Sequence, residues 1–127
     1  MQYTEKVMEA FQNPKNVGEI ENYDGMGMIG SEACGDIMQV FIKVENGVIT
    51  NAKFKTFGCA AAIATSSTAT EMIKGMTVDE ALEVTNKKVI EVLGGLPPQK
   101  IHCSVLAEQA IKAAIEDYKK RSSQNLF

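Results

Sequence analysis

The chain has 127 residues, 45% hydrophobic and 23% charged, with a formal net charge of −3. Such a composition describes one domain with a real core rather than a disordered chain, and its mild acidity offers no attraction to nucleic acid or an anionic membrane. No apolar run approaches a membrane span, and three cysteines are an odd, sparse set for a secreted disulfide scaffold. Free thiols suit a reducing compartment. The N-terminus has neither an apolar leader core nor an Arg-rich presequence pattern, since the only Arg is Arg121. The expected location is the cytoplasm, for the chain as written or after loss of a presequence.

Tyr3, Val7, Met8 and Phe11 recur at helical spacing, and Asn13-Pro14 ends that helix because a residue before proline avoids the α region. Residues 15–27 read as a loop rich in Gly and Asn, and a short strand is expected at about 26–32, with Met26, Met28 and Gly30 on one face. Met38, Val40, Ile42 and Val44 alternate with polar or outward positions. After Asn46-Gly47, Val48, Thr50, Ala52 and Phe54 do the same. Asn-Gly between two alternating runs predicts a two-residue hairpin. Ala60 to Lys74 is a helix of small residues that Gly75 stops, and Thr77 with Glu80 is a capping box opening a short helix. Another short helix spans Asn86 to Leu93 and stops at Gly94-Gly95. Leu96-Pro97-Pro98 is extended, and Ser104 to about Lys120 is the strongest helix, with Ala107, Ile111, Ala114, Ile115 and Tyr118 in one stripe. Residues 119–127 are expected to fray. The fold class is α+β, a small antiparallel sheet of about three strands with helices packed on one face, in a single domain over residues 1–127.

Each cysteine falls at a junction. Cys34 precedes the first confident strand in Ala33-Cys34-Gly35-Asp36, Cys59 sits where a strand meets a helix, and Cys103 follows His102 at the start of the last helix. A lone Cys is most often a small buried hydrophobe. Three at junctions, outside any periodic stripe, point instead to a shared thiol site. Helix N-termini lower a thiol pKa, and thiolate is the form that binds metal or attacks sulfur. Asp36 is either a turn residue or a hard oxygen ligand, and His102 either an ordinary polar residue or a ligand or proton relay. Three thiolates with a fourth donor would hold zinc or an iron–sulfur cluster, and residue chemistry does not separate the two. A Cys–His nucleophilic enzyme is a third option that leaves two cysteines idle.

Five blocks carry a family resemblance: Asn13-Pro14-Lys15-Asn16-Val17-Gly18, Ala33-Cys34-Gly35-Asp36, Lys53 to Cys59, Leu96 to Ser104, and Leu106-Ala107-Glu108. On these the chain resembles the iron–sulfur cluster assembly scaffolds of the IscU type within the NifU N-terminal family. The resemblance implies a scaffold rather than an enzyme. It would accept persulfide sulfur from a cysteine desulfurase, take iron, build a [2Fe–2S] cluster and pass it to acceptor apo-proteins. It implies Cys34, Cys59, Cys103 and His102 as cluster ligands and Asp36 as the carboxylate that keeps the cluster labile. Lys100 and Glu108 would be polar neighbours, and zinc an alternative occupant of the same residues. The helix-terminal position beside His102 ranks Cys103 first and Cys59 second as persulfide acceptor. Implied partners also include a ferredoxin-type electron donor and an Hsp70-class chaperone with its J-protein, docking on Leu96–Lys100. There Gln99 stands in place of the usual valine. No nucleic acid or membrane partner is expected, and the expected state is a monomer or weak dimer. The absence of an insertion before the last Cys, the presence of His102 and the single-domain length favour the scaffold branch over zinc-dependent sulfur acceptors and longer multi-domain relatives.

Overall fold

Asn46 and Gly47 have φ of 53° and 78°, the left-handed pair that a two-residue hairpin turn requires. They join β2 (Asp36–Glu45) to β3 (Val48–Phe57), with Glu45 opposite Val48. The computed structural model describes residues 3–31 and 36–124. β1 (Gly25–Ser31) pairs antiparallel with the other side of β2, so the sheet order is β1-β2-β3. Helices cover one face, as the α+β reading expects.

Met38, Val40 and Ile42 enter the core as their alternation predicts. β3 departs from its expected phase. Val44 pairs with Ile49 and Lys43 with Asn51, which leaves Thr50 as an extra residue in a bulge. Ile49 is therefore the buried residue, Thr50 is exposed, and Ala52 and Phe54 regain the core-facing phase. On β1 the face shared by Met26, Met28 and Gly30 is the outward one. Gly25 and Gly27 face inward, against the last helix. On the outer sheet face Phe41 is buried by Tyr23, whose ring meets it edge-on at 5.5 Å, and Arg121 lies over Tyr23.

The loop between the first helix and β1 is partly ordered by β3. Phe54 N donates to Asn16 O, and Gly18 N donates to Phe54 O. These bonds cover part of the β3 edge, which an unpaired strand would leave open. Asn16 takes φ of 66°, and its amide donates to Thr70 Oγ1 and Glu71 Oε2 while its carbonyl oxygen accepts from Lys74 Nζ at 2.8 Å. The Asn-Pro-Lys-Asn-Val-Gly block thus ties β3 to the following helix.

That helix, α2 (Ala60–Ile73), is buried on several sides by its small residues. Thr65, Ser66 and Thr70 are buried, and their hydroxyls donate to the carbonyls of Ala61, Ala62 and Ser66, so none is left unsatisfied. α1 (Glu5–Gln12) packs on α2 and is capped by Thr4, which accepts from Val7 N and donates to Leu93 O. α3 (Val78–Leu82) carries the expected Thr77–Glu80 capping box, and α4 (Asn86–Val92) is capped by Thr85.

α5 (Ile101–Gln124) starts earlier than the spacing suggests. Only Leu96-Pro97 is extended; Pro98 opens a single 3₁₀ turn through Lys100, where its missing N–H costs nothing. Cys103 therefore lies inside the first turn of α5. The helix also continues through residues 119–124, the stretch that composition assigns to a frayed tail. There Lys119 pairs with Asp79, and Arg121 pairs with Asp117 and leans on Tyr23.

Candidate metal and thiol site

Three elements deliver one residue each. Asp36 is the first residue of β2, Cys59 is the N-cap residue of α2, and Cys103 lies in the first turn of α5. Their ligand atoms all fall within 4.8 Å of one another. The two sulfurs are 3.3 Å apart, and Cys103 Sγ is 3.7 Å from Asp36 Oδ2. Asp36 and Cys103 are buried, whereas Cys59 is half-buried, so the triplet opens to solvent on the Cys59 side. His102 is exposed beside it, with Nε2 at 3.5 Å from Cys103 Sγ. The fold therefore brings Asp36, Cys59, His102 and Cys103 together. Cys34 belongs to residues 32–35, outside the described residues.

The electrostatics are set by burial. Burial first, then Cys59 and Asp36 beside it, hold the Cys103 thiol far above its ordinary pKa. This reverses the expectation that a helix N-terminus lowers it: the helix end is a partial charge, and it is outweighed by desolvation and two acidic neighbours. Without a cation, a carboxylate and two thiolates at this spacing would repel one another. A bound cation inverts that balance and drives the thiols to ionise, with release of protons. Two soft sulfurs and one hard oxygen suit zinc or iron, the oxygen being the weaker ligand for iron.

Two exposed apolar residues at this end of the sheet, on the face away from the buried Asp36, had no assigned role from the sequence. Ile37 and Phe57 are cross-strand partners at the strand ends beside Asp36 and Cys59, and Phe57 is 78% exposed. The clue lay in phase, since Phe57 falls in the outward register with Lys53 and Lys55. Glu108, in contrast, is occupied elsewhere: its Oε1 accepts from Asn86 N at the start of α4.

A short antiparallel sheet with helices on one face, bringing a strand-end carboxylate against thiols at two helix starts, defines a class of small thiol-bearing domains. The chain belongs to the NifU-like N terminal domain family, which matches residues 2–125. It is 56% identical over 122 residues to the iron-sulfur cluster assembly scaffold protein IscU 1 of Archaeoglobus fulgidus, covering 96% of this chain and 80% of that protein. Likewise it is 55% identical to the scaffold protein IscU of Azotobacter vinelandii, covering 94% of this chain and 95% of the relative. With the Escherichia coli K12 scaffold IscU it shares 54% identity over 125 residues, covering 95% and 97% of the two chains. Among solved structures, the N-terminal NifU-like protein of Brucella abortus superposes with a TM-score of 0.74 at 20% identity, covering 92% and 94%. A putative iron-sulfur cluster assembly scaffold for the SUF system from Fervidobacterium islandicum also gives 0.74, at 24% identity, covering 89% and 96%. At these identities the likeness is one of fold.

Proposed function

We propose that this chain is a scaffold on which iron–sulfur clusters are assembled, with iron and sulfur as its cargo. The observation that carries the reading is the half-open Asp36–Cys59–Cys103 triplet. Its support from outside is the shared naming of relatives more than half identical over nearly the whole chain.

On this reading sulfur arrives as a persulfide from a cysteine desulfurase and enters at Cys59 or Cys103. Iron is held by the thiolates with Asp36 as the exchangeable oxygen donor. Cys34 and His102 complete the ligand set for a [2Fe–2S] cluster, which then passes to acceptor apo-proteins. A ferredoxin-type donor would supply electrons. Leu96–Lys100 would meet an Hsp70-class chaperone; Pro97 is extended, with φ −56° and ψ 141°, while Pro98–Lys100 would have to unwind from its 3₁₀ turn to bind as an extended peptide. The role is that of a carrier rather than a turnover enzyme. Among the described residues no helix is long and apolar enough to cross a membrane.

Anaerobic reconstitution with ferrous iron and sulfide tests this. The expected result is coloured protein with thiolate-to-iron charge-transfer absorbance, lost in Cys59→Ala and Cys103→Ala. Colourless protein holding one tightly bound zinc, unfolding on chelation, would overturn it.

A further inference from the structure

Asp36 is wedged. Its Oδ2 is the oxygen near Cys103 Sγ, while the other side of the carboxylate lies against Gly58. A methyl group built on Gly58 would stand 3.0 Å from both Cγ and Oδ1 of Asp36 and 3.2 Å from Cβ of Ala62. Such contacts are tighter than nine in ten real ones, so a neighbour would have to give by a few tenths of an ångström. Asp36 cannot simply swing out to water: it is only 6% exposed, and its backbone is pinned opposite Ser31. Ala62 is fixed on α2, buried with no exposure. The group with rotatable bonds is the carboxylate itself.

We propose that Gly58 is a positioning residue for cargo release: its missing side chain lets the Asp36 carboxylate lie against the Cys59–Cys103 pair. Gly58 is not among the positive-φ glycines, so alanine there is a question of space and not of backbone conformation. With a methyl at residue 58 the carboxylate has to shift or turn about its side-chain bonds, which disturbs its fit against the sulfur pair while both thiols stay in place. This rests on the scaffold reading, in which Asp36 makes the cluster labile.

A double-mutant cycle tests it, using the full chain as wild type, Gly58→Ala, Asp36→Ala and the double variant. Each is reconstituted anaerobically, and cluster lifetime is followed by visible absorbance during dialysis. Cobalt(II) spectra of the metal-free proteins report separately on the ligand set. Gly58→Ala should lengthen the lifetime several-fold, in the direction of Asp36→Ala, and shift the cobalt bands likewise. In the Asp36→Ala background the same change should do nothing. An unchanged lifetime in Gly58→Ala, or an equal effect in both backgrounds, overturns the proposal. Should Gly58→Ala fail to fold, recovery in the Asp36→Ala background supports it and failure in both overturns it. Colourless wild type would bring down the scaffold reading and this proposal together; coloured wild type with an unaltered variant brings down this one alone.

Discussion

The sulfurs of Cys59 and Cys103 face each other at 3.3 Å although they are 44 positions apart in the chain. They are not equivalent. Cys103 is fully enclosed and also within reach of Asp36 and His102, while Cys59 sits at the opening.

On the scaffold reading, that asymmetry predicts an order of sulfur entry. An incoming persulfide meets Cys59 first, and its neighbour resists ionisation. Mass-spectrometric mapping after brief incubation with a cysteine desulfurase and cysteine should find the extra sulfur on Cys59 before Cys103. Early labelling of Cys103 would restore the order that its helix-terminal position suggests.

The Asp36 carboxylate is one of the causes, after burial and Cys59, that raise the Cys103 thiol pKa. In metal-free protein Asp36→Asn should therefore lower that pKa while leaving it above the ordinary thiol range, as read by thiolate ultraviolet absorbance against pH. The sign for stability follows. A raised folded pKa favours the protonated thiol, so the folded state loses stability as pH climbs above the unfolded thiol value of about 8.5. Urea midpoints should fall on that limb, and less steeply for Asp36→Asn.

Gly27 faces α5 so closely that a methyl there would stand 2.5 Å from Ala114 N and nearer still to Ala110 O. These are backbone atoms of a packed helix and cannot yield. Gly27→Ala should cost about 3 kcal/mol or more in urea unfolding, at the upper end of overpacking effects. Gly30→Ala, whose methyl would meet only Asp36 O at 3.8 Å, serves as the near-neutral control.

Glu71 accepts from the Asn16 amide and pairs with Lys74 at 3.3 Å, and the hydrogen bond from Asn16, ahead of Lys74, lowers its pKa. The stabilisation is present above the unfolded carboxylate pKa and is lost as pH falls through the lowered folded value. With the pair substantially exposed, it should amount to less than about 1 kcal/mol. Comparing the acid limb of urea midpoints for wild type and Asn16→Ala checks this; identical pH dependence would remove Asn16 as the cause.

What could be read in advance was local. Asn46-Gly47, the Thr77 capping box and the glycine stops each act within a few residues, so pattern alone locates them. Thr50 could not be foreseen, because the bulge that turns it outward depends on pairing with Lys43 and Val44 across the hairpin. Placement at element junctions marked the three cysteines, and chain reversals do bring Cys59 and Cys103 to one end of a layer, with Asp36 and His102 beside them. Helix-end placement misled about the Cys103 thiol because enclosure by Asp36, Cys59 and the core is a tertiary property. The room left for Asp36 at Gly58 is likewise invisible without three dimensions.

Asp36, Cys59 and Cys103 come from the start of β2, the start of α2 and the first turn of α5, the most distant pair 67 positions apart in the chain. During synthesis the sheet and α2 emerge well before α5. A nascent or half-collapsed chain thus offers one sulfur and one carboxylate from this trio, too few to hold a metal firmly. The full trio forms only when α5 has docked along β1, so on the scaffold reading a metal held by all three reports that folding is finished.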